Sequence, residues 1–444
     1  MFILRDLLRP LQAPFANSPL GRERAHWWVL TLLAVIVPFT SSLTANLLRA
    51  LQTLFGLDPG RRRFYAFMAS PTLPWEGLWA VLWRLIPQPS VDGRLLVALD
   101  DSLNHKTGRR IFGCGFFHDH TAKLNQPAYP WSQNIVAIGL LKVIKGRWCC
   151  LPLAWRFYFM NKDIQAQTPT TQQSGRTVVF QSKMHQAVAM LKTLAVAFAG
   201  TPILVVTDSW FGNDGLFRPL HDTALDFQLL SRLRANITLY DLPPERTARQ
   251  RGRVRKYGAR LGATSDLAAT YRPRACPVAV FLYGKPRQVL AYDRLVMLQN
   301  LRCQVRVVWV FRNNQWVAFF TTDLALSVVQ IIEFYGARWK IEAGFKELKQ
   351  EIGSAKSQTR NAHAVINHLH FCMMATTLTW IYADRIKADP ERRHLVKGRT
   401  SFAFSDVRRL IANAALSEDF LRLWPTPYQS RQNAFVSLLL RMVA

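Results

Sequence analysis

The sequence has few acidic residues and lacks the cysteine patterns of metal-binding or disulfide-rich domains. Of its 444 residues, 57 are Lys or Arg and only 28 are Asp or Glu, so the formal net charge is +29 at pH 7. The six cysteines include no CxxC pair and no Cys/His ligand spacing. This usage argues against a structural zinc site and against a disulfide framework, and it favours a reducing, cytoplasmic compartment.

The sequence also lacks an apolar run long enough to cross a membrane. The one stretch that suggests a membrane, Trp27 to Phe39, has 13 residues and is interrupted by Pro38, whereas a spanning helix needs about 20 residues. The stretch lies far from Met1, and no cleavage site of small residues marks it as a signal peptide. We therefore expect a buried helix here and no membrane partner.

The excess of positive charge predicts a polyanionic partner. Basic residues are spread along the chain rather than gathered in a tail, and this favours nucleic acid over a membrane surface. The segment RTARQRGRVRKYGAR at 246–260 has seven basic residues and no acid. We expect this basic segment to be a loop that becomes ordered on binding phosphates, through Arg251, Arg253 and Arg255.

Strand and helix patterns in the middle of the chain predict a mixed α/β sheet. They place a helix at 182–199 and strands at 94–99, 111–117, 134–142, 151–159 and 201–207. The first strand is expected to end at Asp100 and Asp101, and the last at Asp208. Acids at the carboxyl ends of strands occupy the usual position of an active site in such a sheet.

The flanking regions are expected to be helical. Arg61 to Arg63 are predicted to connect two short helices, which suits a DNA-binding helix-turn-helix unit; a small bundle that abuts the core is an equal alternative. The expected units are a helical, DNA-binding region at 1–90, a core at 91–235 and 320–385, a basic β-rich insertion at 236–319, and C-terminal helices at 386–444.

The stretch YGARWKIEAGFKELK at 335–349 predicts an amphipathic helix with one polar face. At about 100° per residue, four polar side chains fall within about 60° of one another: Tyr335, Arg338, Glu342 and Lys349. An apolar stripe beside them is expected to pack against the core: Phe334, Ile341, Phe345, Leu348 and Ile352. The plain alternative is a surface helix whose Arg338 and Glu342 form an i,i+4 ion pair.

Glu342 and the aspartates at the strand ends together suit phosphodiester cleavage. Two divalent ions about 3.5 to 4 Å apart can activate the attacking oxygen and stabilise the leaving one, and Mg²⁺ and Mn²⁺ prefer carboxylate ligands. Taken singly, an aspartate after a strand is more often a turn former or a helix cap than a metal ligand. Because successive strand residues face opposite ways, the residues alone leave open whether Asp100 or Asp101 is the ligand.

Two tryptophans and a histidine pair are further candidates for the site. Trp210 is as compatible with stacking on an extruded base as with core packing, and Trp339 is expected in the core. His118 and His120 form an H-x-H sequence without a third ligand nearby in sequence, so we expect a solvated loop.

The spacing Y-x2-R-x3-E-x6-K within 335–349 resembles the signature of DDE-type insertion-sequence transposases of the cut-and-paste group. The sequences DDS at 100–102, followed by Lys106, and TDSWF at 207–211 are similar to the first and second acid motifs of that group. The resemblance covers about residues 30–385. It implies a ribonuclease H-like core with a β-rich insertion between the second and third acids.

The resemblance further implies site residues, cofactors and partners. The family's first ligand precedes a Ser or Thr, which selects Asp101, with Asp208 and Glu342, as catalytic and metal-binding; Asp100 would shape the site. Two Mg²⁺ or Mn²⁺ ions are implied. So are double-stranded DNA at the element ends and the target, and a homodimer in the synaptic complex of a bacterial, nucleoid-associated protein. The DNA contacts expected on this basis are Tyr335, Arg338, Lys349, Lys106 and Trp210, beside the three arginines of the basic segment.

The function implied is that of a DNA transposase. Such an enzyme binds the terminal inverted repeats of an insertion sequence, cleaves DNA and transfers the strand. The alternatives are a ribonuclease H-like site-specific or structure-selective endonuclease without strand transfer, and an inactive DNA-binding relative.

Overall fold

A twelve-stranded mixed sheet runs through the part of the chain that the structure, a computed structural model, describes: residues 3–17, 20–172, 178–223, 225–245, 253–394 and 401–423. The strands are β1 Leu95–His105, β2 Cys114–Phe116, β3 Trp131–Ile144, β4 Arg147–Tyr158, β5 Ile203–Thr207, β6 Phe227–Leu233, β7 Thr238–Tyr240, β8 Arg260–Ala263, β9 Cys276–Leu282, β10 Lys285–Leu298, β11 Cys303–Arg312 and β12 Gln315–Thr321.

Helices from both ends of the chain and from the strand connections pack around the sheet. They are α1 Ile3–Leu8, α2 Gly21–Ile36, α3 Thr44–Phe55, α4 Arg61–Met68, α5 Trp75–Arg84, α6 Asn161–Gln165, α7 Lys183–Ala197, α8 Asp214–His221, α9 Thr264–Tyr271, α10 Val328–Lys346, α11 Ala362–Arg385, α12 Phe404–Ala415 and α13 Glu418–Leu423. A 3₁₀ turn spans Pro10–Phe15, and a π-helical turn, Glu347–Glu351, extends α10.

The central strands have the order of a ribonuclease H-like sheet. β4, β3 and β1 form an antiparallel meander, after which β5 and β6 add in parallel to β1. The connection from β4 to β5 runs through α7. This topology confirms the predicted fold class, a mixed α/β core with helical flanks.

The β-rich insertion extends this sheet rather than forming a separate one. β12 pairs antiparallel with β6 over Leu230 to Leu233, and β11, β10, β7 and β8 follow in that order. β9 pairs with β10 as a hairpin. The end of that hairpin lies on α10, where the backbone N–H of Phe281 donates to Glu333 Oε1 at 2.7 Å.

β1 is longer than the sequence pattern predicts. The expected end at Asp100 and Asp101 is wrong, because the antiparallel pairing with β3 continues to His105. The parallel pairing with β5 does stop there, with Leu99 opposite Thr207. The apolar run in the sequence corresponds only to the first half of β1, which is buried between β3 and β5. The second, polar half pairs with β3 alone.

The N-terminal helices also differ in detail from the prediction. Arg61 to Arg63 form the first turn of α4 and not the connection between two helices. The apolar run from Trp27 lies in α2, which is buried on almost all sides and packs against α3, α11 and α12. Among the described residues, none of the helices is both long enough and apolar enough to span a membrane.

The basic segment is described only in part. Residues 246–252, and Arg251 with them, lie outside the described residues. Residues 253–259 have no helix or strand, and Arg253 and Arg255 are exposed. Arg260 begins β8, which pairs with β7. Two of the three arginines predicted to contact phosphates are therefore on the surface.

Candidate active site at the carboxyl end of the central strands

α10 crosses one face of the sheet and carries the glutamate predicted as the third acid. Its first turn is fixed by a capping box, in which Gln330 N donates to Ser327 Oγ at 3.1 Å and Ser327 N donates to Gln330 Oε1 at 3.0 Å. The helix packs against β1, β3, β4 and β5. The predicted apolar stripe is confirmed, since all of its members are buried: Phe334, Ile341, Phe345, Leu348 and Ile352.

Asp100 and Asp208 lie side by side because β1 and β5 are parallel neighbours. Leu99 of β1 pairs with Thr207 of β5, and each is followed by an aspartate. Asp100 and Asp208 therefore lie at the same level along the two strands and on the same face of the sheet. Burial raises the pKa of Asp100 to about 7; the Arg338 charge opposes this rise and the nearby Asp208 charge adds to it. The Oδ1 of Asp208 accepts hydrogen bonds from the backbone of Trp210 and Phe211 at 3.0 and 3.1 Å.

Arg338 joins the strand acid to the helix acid. Its Nη1 donates to Asp100 Oδ2 at 3.1 Å, and its Nη2 donates to Glu342 Oε1 at 3.0 Å. Arg338 is only 5% exposed, whereas Glu342 faces solvent. The i,i+4 ion pair between Arg338 and Glu342, expected for a simple surface helix, is therefore present. The same guanidinium also binds Asp100, so it bridges α10 and β1.

Asp101 faces the opposite side of the sheet, as alternation along β1 requires. Its Oδ2 accepts hydrogen bonds from Lys183 Nζ at 2.8 Å and from Asn134 Nδ2 at 3.1 Å. Lys183 is the first residue of α7. The structure thus brings Asp100, not Asp101, together with the Arg338 bridge.

Tyr335 lies on the same side as the acids but is enclosed. It is 8% exposed, and its ring centroid is 4.2 Å from that of Phe319. The Arg338 guanidinium lies 5.6 Å from the Tyr335 ring centroid, and burial raises the pKa of the phenol. In this conformation Tyr335 packs beside Arg338, which pairs with the acids, and both side chains are buried rather than open to DNA.

The two predicted lysine contacts have different positions. Lys349 is partly buried in the π-helical turn, where burial lowers its pKa and the Asp119 charge opposes that shift. Lys106 is 7% exposed, and its ammonium donates to the carbonyl oxygens of Ala355 and Ser357 at 2.8 Å each. A phosphate contact by Lys106 does not fit this position, because the ammonium is inside the protein and ties β1 to the loop after α10.

Two exposed tryptophans flank the acids. Trp210, in the loop after β5, is 45% exposed. Trp339 is 48% exposed beneath the Arg338 guanidinium, which lies 5.2 Å from its ring, so the expectation of core packing for Trp339 is wrong. His118 and His120 are in the loop between β2 and β3, with their rings 4.4 Å apart.

The acids offer oxygen donors of the kind that Mg²⁺ and Mn²⁺ prefer. Among the described residues, no three His, Cys, Asp or Glu side chains are close enough to share one metal ion. Asp100 and Glu342 instead share a guanidinium, a positive charge held between two carboxylates. Within the described structure, Arg338 Nε is buried without a hydrogen-bond partner. The donor set fits a divalent cation provided that Arg338 leaves the space between the acids.

Lys183 and Asn134 were missed by the sequence analysis. Lys183 is 82 residues from Asp101 in sequence, and no motif spacing connects the two. Only the register of the sheet could have indicated these partners of Asp101, and the register is not a local property of the sequence. Only after β1 is paired with β3 does Asn134 fall beside Asp101.

Comparison with known proteins identifies the family of this chain. No curated protein sequence matches it. A solved structure described as a piggyBac transposase synaptic complex with hairpin DNA aligns with a TM-score of 0.44 and 12% identity, over 99% of this chain and 82% of that chain, a likeness too weak to support an inference. Residues 17–279, more than half of the chain, match the family described as DDE superfamily endonuclease. That range contains β1 and β5 and ends before α10. The chain therefore belongs to the DDE superfamily endonucleases.

Proposed function

We propose that this chain is a DNA transposase that cleaves the ends of an insertion sequence and joins them to a target. One observation carries the proposal. Asp100 and Asp208 from adjacent parallel strands meet a helix that has the Y-R-E-K spacing, and Arg338 links that helix to Asp100. An endonuclease of this family needs such a set of acids to bind its ions, and the spacing on α10 favours the transposase branch.

Asp100, Asp208 and Glu342 are the proposed metal ligands. Divalent ions, when bound there, would activate the attacking oxygen and stabilise the leaving oxygen of a phosphodiester. This assignment differs from the one implied by the family motif, which selects Asp101. It rests on the face of β1 that each aspartate occupies, since Asp101 already pairs with Lys183 and Asn134.

Arg338 has two proposed states. Without metal, its guanidinium neutralises Asp100 and Glu342 and holds them in place. When the acids bind cations, the guanidinium is free to offer its planar pair of donors to a phosphate oxygen of the substrate. The protein thereby keeps the strand acid and the helix acid close together before the ions arrive.

DNA is the proposed substrate, and a homodimer that pairs two ends is the proposed working form. The net charge of +29 and the exposed Arg253 and Arg255 support a polyanionic partner. Two ends must be held together for cut-and-paste transposition, which is the reason for proposing two copies of the chain.

The test is incubation of the purified protein with Mg²⁺, a target plasmid and the DNA that flanks its own coding region. A transposase yields cleaved 3′ ends and strand-transfer products joined to the plasmid. Cleaved ends without joined products would point to an endonuclease, and binding without cleavage to an inactive relative. The Asp208→Asn protein, which should bind the ends in Ca²⁺ without cutting them, is the control for a contaminating nuclease.

A further inference from the structure

The end of the β9–β10 hairpin packs against a glycine of α10. Leu282 is the last residue of β9, and a Cβ on residue 336 would lie 2.5 Å from its Cδ2. Carbon atoms in van der Waals contact are about 3.5–4.0 Å apart. Leu282 can therefore occupy this place because residue 336 is glycine.

Glycine is an unfavourable residue at this position of a helix. Gly336 lies in the interior of α10, where glycine destabilises a helix relative to alanine. Gly344, in the same helix, has more room, since a Cβ there would lie 3.7 Å from Cys150 Cβ, an ordinary contact. Of these two glycines, only Gly336 admits a neighbouring side chain that a Cβ would displace.

A tight turn and a hydrogen bond fix the hairpin on the helix. Tyr283 and Gly284 have positive φ values of 55° and 78°, as a two-residue turn of type I′ requires. The backbone N–H of Phe281 donates to Glu333 Oε1 at 2.7 Å. An apolar contact and a hydrogen bond thus attach the hairpin tip, residues 281–284, to α10.

The hairpin tip contacts α10 on the side away from its acid. At about 100° per residue, Glu333 lies about 180° around the helix from Glu342, and by the same count Gly336 lies about 200° from Arg338. The other side of α10 packs against β1, β3, β4 and β5, and there Arg338 binds Asp100. The helix is therefore held between the strands that carry the aspartates and the hairpin tip of the insertion.

We propose that the hairpin tip positions α10 for the reaction. With Leu282 against Gly336, the helix is kept from moving away from the sheet, so Arg338 and Glu342 stay close to Asp100. The insertion thereby contributes to the chemical step and not only to the binding of DNA. This inference rests on the proposed function, and it makes Leu282 and Gly336 positioning residues, which act through the helix and not on the substrate.

The experiment is single-turnover nicking of the element ends in Mg²⁺, with the full-length protein in saturating excess over the DNA. Gly336→Ala displaces Leu282, and we expect the nicking rate constant to fall by at least about tenfold, since small misplacements of reacting groups are costly. Leu282→Ala removes the apolar contact and should lower the rate constant by about three- to tenfold. The affinity of both variants for the same DNA, measured in Ca²⁺, should remain that of the wild type.

The double variant separates positioning from a general loss of packing. Leu282→Ala removes the atom that the new Cβ would meet, so adding Gly336→Ala to it should change the rate constant by less than about twofold, whereas independent effects would multiply. A loss of folded protein alone would leave the rate constant unchanged, because the remaining folded protein still exceeds the DNA.

Two controls match the variants. Gly344→Ala makes the same substitution in the same helix, with the same gain in helix propensity and an ordinary contact for the new Cβ. Leu295→Ala shortens a leucine of β10 that is 39% exposed and lies opposite Arg306 of β11. Both controls should nick DNA at the wild-type rate.

Hydrogen exchange of the α10 amides tests the contact without DNA. Leu282→Ala should speed exchange of the amides at 333–342 by at least about fivefold, because a local contact that opposes opening of the helix is lost. Leu295→Ala should not change the exchange of these amides.

Nicking by Gly336→Ala at the rate of Gly344→Ala would overturn the inference and leave the proposed function intact. Unchanged exchange of α10 in Leu282→Ala would overturn it as well. If the wild-type protein cuts no DNA, the proposed function is contradicted, and the exchange measurement alone decides whether the hairpin tip holds α10.

Discussion

The guanidinium of Arg338 lies 3.1 Å from the carboxylate of Asp100, and both side chains are largely removed from water, with 6% and 19% of their side-chain surface exposed. A buried charge is costly unless it is paired, and removing one partner leaves the other uncompensated. The same guanidinium reaches Glu342 at 3.0 Å. Arg338 therefore connects the sheet to the helix of the candidate site through both acids.

Asp100 should be essential for cleavage, and Asp101 should not. Asp100→Asn removes a proposed ligand and should lower the nicking rate by at least about 100-fold, a barrier increase of about 2.7 kcal/mol. Asp101→Asn should stay within about tenfold of the wild type, because Asn can still accept from Lys183. Rates are measured on plasmid DNA in Mg²⁺ beside binding in Ca²⁺. The opposite ranking would restore Asp101, the residue that the family motif selects.

Loss of Arg338 should affect metal binding and cleavage in opposite directions. Arg338→Ala removes the charge that competes for Asp100 and Glu342, so Mn²⁺ affinity measured by calorimetry should rise. Cleavage should fall by at least about tenfold, or about 1.4 kcal/mol, through lost substrate positioning, and Arg338→Lys should be a partial rescue.

The matched control for Arg338 is Arg218→Ala, which breaks an i,i+4 pair with Asp214 at 3.2 Å on α8. This variant should change neither metal affinity nor cleavage. If Arg338→Ala instead weakens Mn²⁺ binding, then holding the two acids in place contributes more to the affinity for the ion than competition with it takes away.

The stability of the protein should fall as the pH rises from about 5 to 8, partly because of Glu347. Burial raises the pKa of this carboxyl from 4.5 to about 7, and Trp380 Nε1 donates to it at 3.3 Å. The folded state binds the proton more tightly than the unfolded state, so the contribution is greatest below about pH 4.5 and is lost as the pH rises through 7.

Glu347→Gln keeps a neutral acceptor for Trp380 and should flatten this dependence. The measurement is the free energy of unfolding at pH 5 and pH 8 without divalent ions. We expect the variant to lose about 1–3 kcal/mol less than the wild type between the two pH values. The pKa of Asp100 is also raised, so Asp100 changes the stability in the same direction, but it is present in both proteins. The difference between wild type and variant therefore reports Glu347 alone. Parallel curves would show that Glu347 is ionised at both pH values.

Arg253 and Arg255 should contact phosphates. Changing both to Ala should weaken binding similarly for element ends and for unrelated DNA, and it should reduce the salt slope by up to about 0.9 per lost contact. The control is Lys106→Met, which removes one positive charge from the interior and should leave the slope unchanged while lowering stability. An unchanged slope in the double arginine variant would mean that these side chains do not contact DNA.

Local periodicity predicted the parts of this site that depend on a single element. The face of α10 is an example, because a helical repeat alone places Ile341 inside and Glu342 at the rim. The apolar runs of β1 and β5 were predicted for the same reason. The ribonuclease H-like order followed from the resemblance and from the alternation of strands and helix.

The remaining features depended on pairing between distant segments. Which aspartate faces α10 is fixed by the register of β1 against β3 and β5, and no local signal distinguishes Asp100 from Asp101. Lys106 was expected to contact DNA because of the family resemblance, whereas its side chain is buried. Its three carbonyl acceptors come from a loop about 250 residues further along the chain. A local sequence pattern cannot indicate a contact over that separation.

The continuity of the sheet means that the insertion is not a detachable module. Thr321 pairs with Leu230 of β6, and the chain enters α10 only after passing through β12. A protein shortened to the 17–279 range would end inside β9, lose α10 and expose β6 as an unpaired edge. Such an edge is a template for aggregation. The boundary of family similarity is therefore not a boundary of folding, and truncation at that position should give insoluble protein.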